Sequence, residues 1–353
     1  LLGKGYALYG LKRYSECQSA WEEDRKLEPR DPAILKALGA VHWKLGGLSP
    51  KDSDERCDEY MHSTDYFAGL TDRQNLSPQS DEDVAFIYRT LGYMDYLIGK
   101  SCPELGKAAM YEAAIDSFSM AIDLDPDKVE YWYRRGRISY GLWLVLKDET
   151  GGPPETGLCL KAKCLADAIS DMGKAKVMEA SGQRIDDTSP DAMIQTVRNS
   201  AKARASRLFD QGEYEHALDY YELVAGSDKE NAAIAFRAGL TSLALGRGEA
   251  AQSWYDQALD QNDLGSAERA LAELSSMLVV DETLPAGSIL ALFEARGIGS
   301  QLSTAQRAFA WALGALAQNR SEQAAKLFSQ GIELAAGAKD IKVVKLAAFD
   351  MRD

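Results

Sequence analysis

At 353 residues, 46% hydrophobic and 27% charged, the chain has the make-up of a folded protein rather than a disordered one. It is long enough for two or three domains or for one extended repeat array. A formal net charge of −14 argues against duplex nucleic acid, whose binding rests on neutralised phosphates, and the longest near-apolar stretch, Ala308 to Ala317, is too short to span a bilayer.

Taken in chain order, one spacing recurs. The first segment, LLGKGYALYGLKRYSECQSAWEEDRKLEP, places Gly5, Tyr14, Trp21 and Pro29 at intervals that later segments repeat. Leu38, Gly39 and Gly46 open a partial copy over 33–70, whose second helix is expected at about 51–69, after a stretch rich in Pro, Asp and Ser. The copy over 82–127 ends in YEAAIDSFSMAIDLDP, with Tyr111, Ala114, Phe118, Ala121 and Pro126, and carries extra residues from Lys100 to Met110. The copy over 128–181 is built around Gly136 and carries an extra Lys147 to Leu160 that contains GGPPETG. Copies over 190–228 and 232–262 follow, with Gly212, Ala217, Tyr221 and Val224 in one and Gly246, Ala251, Tyr255 and Ala258 in the other. A degenerate pair is expected at 264–298, a partial copy at 304–336 and a capping helix at 340–351.

The spacing has a physical cause. Two antiparallel helices that cross closely need a small residue at the crossing, a bulky ring beside it, and a breaker before the next helix begins. One such pair cannot bury its own apolar face, so neighbours stack to do it for one another. Gly5 to Gly39, like Ala205 to Gly239, spans 34 residues. In these residues the chain resembles the tetratricopeptide repeat family. The resemblance implies an all-α, right-handed superhelical solenoid of about 7–8 antiparallel helix pairs. Two arrays are expected, 1–181 and 182–353, with insertions at about 47–81, 100–110 and 147–160. Leu1 falls inside a repeat helix, so the start of the natural chain is expected upstream.

Motifs for chemistry are sparse. His42, His62 and His216 stand apart in sequence, and no HExxH, CxxC, GxSxG or GxxxxGK[ST] occurs. A Cys–His dyad would have to assemble across the fold, from Cys57 for instance, and nothing in the sequence selects one. Asp123, Asp125, Asp127 and Glu130 lack the central Gly and the twelfth-position Glu of a calcium loop, and read as an inter-repeat turn. Gly297 and Gly299 follow no strand and make no nucleotide fingerprint. No catalytic residue, metal or cofactor is expected. Cys17, Cys57, Cys102, Cys159 and Cys164 are odd in number and scattered. That predicts reduced thiols and a cytoplasmic setting, with Cys159 and Cys164 able to pair under oxidising conditions.

The repeat resemblance places the first helix of each pair on an inner groove. Counted from the crossing glycines, that face collects Lys36, Trp43, Arg89, Tyr93, Tyr96, Tyr133, Arg134, Arg137, Tyr140, Lys202 and Arg237. An acidic chain thus gathers cations and aromatics on one stripe, which suits an acidic peptide. Chaperone-binding members of the family clamp a terminal carboxylate with Lys, Asn and Arg. Here Lys36 and Arg134 match, but Ala40, Thr90 and Glu130 do not. The expected function is a protein-binding scaffold or adaptor within a hetero-complex, with no nucleic-acid partner. The alternative is the recruiting part of a longer enzyme.

Overall fold

The computed structural model describes residues 2–51, 53–71, 80–146, 161–183, 189–227, 232–245, 247–261 and 272. Among them are twelve α-helices and no strand: α1 (Leu2–Gly10), α2 (Tyr14–Leu27), α3 (Pro32–Leu48), α4 (Asp54–Ala68), α5 (Asp81–Ser101), α6 (Lys107–Leu124), α7 (Val129–Leu146), α8 (Lys161–Ala180), α9 (Pro190–Asp210), α10 (Tyr214–Ser227), α11 (Ala232–Ala244) and α12 (Gly248–Leu259). They form six helix pairs at the places the spacing predicts. The expected elements at 264–298, 304–336 and 340–351, and the insertion at 147–160, lie outside the described residues.

The crossings are where sequence becomes packing. A side chain on Gly39 would sit 2.6 Å from the Phe67 ring, one on Gly92 2.7 Å from Phe118, and one on Gly239 2.6 Å from Tyr255. Each ring therefore occupies the space a β-carbon would take. Gly46 meets Tyr60 and Gly99 meets Tyr111 in the reverse order along the chain, which makes the pairs antiparallel. Trp21, Phe118, Tyr221 and Tyr255 are almost wholly buried, with Ala114, Ala121, Ala217, Ala251 and Ala258 beside them. Burying one such ring is worth roughly 2–3 kcal/mol. The pair α7–α8 differs: Gly136 faces Asp171 and Met172 instead of a ring.

Ends and turns follow local rules. Asp31, with Pro32 behind it, accepts the Ala33 amide at 2.7 Å, and Ser53 and Ser80 cap α4 and α5 in the same way. Gly106 (φ +76°) and Gly212 (φ +81°) take left-handed conformations at the turns into α6 and α10. The stretch 100–110 is the last turn of α5, a 3₁₀ turn at Pro103–Leu105 and the first turn of α6, so the extra residues go mainly into longer helices.

Reduced thiols were expected, and the structure corrects this. Cys57 on α4 is bonded to Cys102 at the end of α5, a partner 45 residues away that sequence spacing gave no reason to choose. Cys164 is disulfide-bonded too. Cys17 is free and buried, its Sγ 3.2 Å from the Gly5 carbonyl, and burial pushes its thiol up to about 11.

By internal contacts the chain separates into two compact units, Leu1–Val197 and Arg198–Asp353. None of the described helices is long and apolar enough to cross a membrane.

Candidate functional site

Three first helices of the first unit, α3, α5 and α7, present neighbouring faces, and salt bridges link them. Lys36 Nζ donates to Asp83 Oδ1 at 3.4 Å, joining α3 to α5, and Arg89 Nη2 donates to Glu130 Oε1 at 2.8 Å, joining α5 to α7. Arg134 also reaches Glu130, at 3.5 Å. Glu130, which broke the match to a carboxylate clamp, is thus the shared partner of two predicted site cations.

Aromatic residues continue the row. The Trp43 and Tyr93 rings meet edge to face at 5.6 Å, Tyr93 and Tyr96 lie 6.4 Å apart, and Tyr96 and Tyr111 5.5 Å apart. Each ring carries a cation: Lys44 over Trp43 at 5.3 Å, Arg134 over Tyr93 at 5.3 Å, Lys100 over Tyr96 at 5.8 Å and Lys107 over Tyr111 at 5.7 Å. Such contacts contribute about 0.5–1 kcal/mol each where water has access. They also hold positive charge against an apolar surface. Trp43, Tyr93 and Tyr96 are half-buried, while Lys44, Lys100 and Lys107 are exposed. Burial pushes the Tyr111 hydroxyl up to about 12, so it is a neutral group at any ordinary pH.

The structure brings Trp43, Tyr93, Tyr96 and Arg134 into one contiguous group, with Lys36 and Arg89 on the same helices. Tyr140 stacks on Trp143 at 6.0 Å, and Arg137 lies over the Tyr133 ring at 5.7 Å. Tyr133 itself is fully buried among Val129, Met172 and Ala175, so it packs the core and offers no surface to a partner. Lys202 and Arg237 are carried by α9 and α11 in the second unit. Sequence reasoning missed Lys44, Lys100 and Lys107. Two of them directly precede or follow no crossing glycine, yet each stands one or four residues from a ring in the row, a spacing that could have found them.

Elsewhere in the first unit, His42 and His62 are in contact despite their separation in sequence, with ring centroids 5.2 Å apart. His42 is buried, its Nδ1–H donating to Glu59 Oε2 at 2.6 Å, and it stacks on Tyr66. Burial holds its pKa below the usual histidine value, although Glu59 opposes this. Asp171 is buried and accepts a two-pronged bond from Arg135 at 2.8 and 2.9 Å. Asp95 on α5 is half-buried with the Ser117 hydroxyl 3.4 Å away, and burial pushes it up to about 6. Among the described residues, Cys57, Cys102 and Glu104 come close enough to suggest a metal site, but both sulfurs are engaged in their mutual bond. That bond also removes Cys57 from any Cys–His dyad.

The stacked antiparallel pairs with glycine–ring crossings define a helical-repeat protein. Residues 202–267 match the tetratricopeptide repeat family model. No curated protein matches it. Similar solved structures include a tetratricopeptide repeat protein from Parabacteroides merdae (13% identity, 100% of this chain and 97% of that one, TM-score 0.33). Others are pilF of Pseudomonas aeruginosa (16%, 72% and 87%, 0.30) and the TPR2AB domain of yeast Sti1 in complex with pHSP90 (11%, 99% and 96%, 0.29). Likenesses of this size carry nothing about sites or partners.

Proposed function

We propose that the chain is a non-catalytic scaffold whose α3–α5–α7 face holds an acidic segment of a partner protein in a hetero-complex. The observation that carries this is the row Trp43–Tyr93–Tyr96, half-buried rings each under a cation and resting on the buried Tyr111, in a chain of net charge −14. Rigid rings supply contact area at small entropic cost, and cations held over them attract carboxylates while rejecting basic segments. Lys36 and Arg89 brace the helices through their ion pairs, and Arg134, Arg137 and Tyr140 extend the face along α7. In the second unit, Lys202 and Arg237 are offered as a separate contact.

The experiment is fluorescence anisotropy with a labelled acidic–aromatic hexapeptide, (Glu-Tyr)3, and its basic counterpart (Lys-Tyr)3 as control. The acidic peptide binds, the basic one does not, and Lys44→Glu with Lys100→Glu weakens binding by about tenfold or more while melting is unchanged. Equal binding of the two peptides would sink the reading.

A further inference from the structure

The Cys57–Cys102 bond lies where this face is supported. Cys57 belongs to the second helix of one pair and Cys102 caps the first helix of the next, so the link runs between pairs. Around it cluster Tyr60, Met94 and Ile98, and packed against that cluster are Trp43 from α3, Tyr93 and Leu97 from α5, and Met110 from α6. The two rings that begin the cation-covered row therefore rest on the layer of side chains that the disulfide pins together.

The bond also joins the two places where the repeat departs from its plain form. Before Cys57 comes the displaced start of α4, and after Cys102 comes the 3₁₀ turn at Pro103–Leu105 that leads into α6. A plain repeat fixes one pair on the next through a short turn, whereas α4 and α5 are separated in sequence by residues 69–80. A covalent tie between α4 and the end of α5 supplies the constraint that a short turn would otherwise give. Both sulfurs are shielded, Cys57 at 5% and Cys102 at 0% exposure, so a reductant reaches them only when α4 and α5 part. Cys17, the free thiol, is buried on α2 behind its own bond to Gly5, and is no internal rival for exchange.

We propose that Cys57–Cys102 is a redox gate on the α3–α5–α7 face: oxidised, it holds Trp43 and Tyr93 in the binding arrangement, and reduced, it releases them. This rests on the reading of that face as the binding site. The step is thiol–disulfide exchange. Two equivalents of a small thiol, RSH, are oxidised to RSSR, the Cys57–Cys102 sulfur–sulfur bond breaks, and each cysteine sulfur takes one electron and one proton. The face is then fully formed in an oxidising compartment, where such bonds persist, in place of the cytoplasmic setting that the scattered cysteines suggest.

The test uses the full chain, purified without reductant, with the bond confirmed by mass spectrometry of the linked Cys57 and Cys102 peptides. Binding of labelled (Glu-Tyr)3 is measured before and after dithiothreitol. Reduction is expected to weaken binding by about tenfold, and to speed amide exchange in α4 and the last turn of α5. Cys164→Ser removes the other bonded cysteine among the described residues and keeps this response. Cys57→Ala with Cys102→Ala is weak from the outset and insensitive to dithiothreitol; if that variant does not fold, wild type with and without reductant still decides. Trp43→Ala separates the two ideas. If it abolishes binding while reduction of the wild type changes neither binding nor exchange, the gate is wrong and the face stands. If Trp43→Ala binds like wild type, the binding face is wrong, and the gate falls with it.

Discussion

The pair α5–α6 in the first unit and the pair α11–α12 in the second solve the same packing problem and differ in the residue that follows the crossing. Gly92 against Phe118 and Gly239 against Tyr255 leave nearly the same room for a β-carbon, 2.7 and 2.6 Å. One residue beyond the glycine, however, the first pair carries Tyr93, part of the ring row, and the second Leu240, packed against the cluster of Phe236 and Tyr255. The crossing is the scaffold, and it is blind to the residue that follows it. That position can therefore be given over to recognition in one unit without altering how the other is built.

The largest expected effects test the shared half of that comparison. Gly92→Val and Gly239→Val each force a branched side chain into a ring and should cost about 4 kcal/mol or more, seen as loss of the melting transition of the unit concerned. A severe effect in one pair and a mild one in the other would mean that the crossings are not equivalent.

The pair α7–α8 sharpens the point, because Asp171 and Met172 stand where other pairs place a ring. Arg135→Ala strands a buried carboxylate and should cost about 3 kcal/mol at pH 8 in chemical denaturation. Asp171 is already raised by burial, with Arg135 opposing, and loses that opposition in the variant. The folded variant then binds a proton more readily than the unfolded chain, so the cost shrinks as pH falls through the raised value. A cost independent of pH would refute the assignment.

The smallest effect concerns Asp95, whose folded-state pKa of about 6 lies above its ordinary 3.8. The ionised carboxylate opposes folding fully above pH 6, and the penalty disappears as pH falls toward 3.8. Asp95→Asn should therefore stabilise by about 2–3 kcal/mol at pH 7.5 and by nothing measurable near pH 4. Equal melting shifts at both pH values would show that charge is not the cause.

The fold was legible because its determinants are local and repeated. Gly5 and Trp21, Ala205 and Tyr221, and Gly239 and Tyr255 each stand 16 residues apart, the geometry of one helix crossing, and the extra residues of the second and third copies widen that spacing for Gly39 with Phe67 and Gly92 with Phe118. The candidate site was legible only in part. Counting along a helix finds Trp43, Tyr93 and Tyr96, since one helix face is a sequence property. It cannot tell Tyr133, turned into the core, from Tyr93 at the same sort of distance from a glycine, because that depends on the neighbouring pair. The Cys57–Cys102 bond and the ion pair of Arg89 with Glu130 join different pairs, and no periodicity within a repeat encodes them; the His42–His62 contact lies within one pair, but across the irregular stretch before α4.

The most direct measurement of the binding face is a photo-cross-linking map. (Glu-Tyr)3 bearing a terminal benzophenone is irradiated with the oxidised chain, and the adducts are located by peptide mass spectrometry. Adducts concentrated on α3, α5 and the start of α6, and lost in Trp43→Ala, are the predicted result. Adducts spread over the second helices α2, α4 and α8, or unchanged in Trp43→Ala, would contradict it.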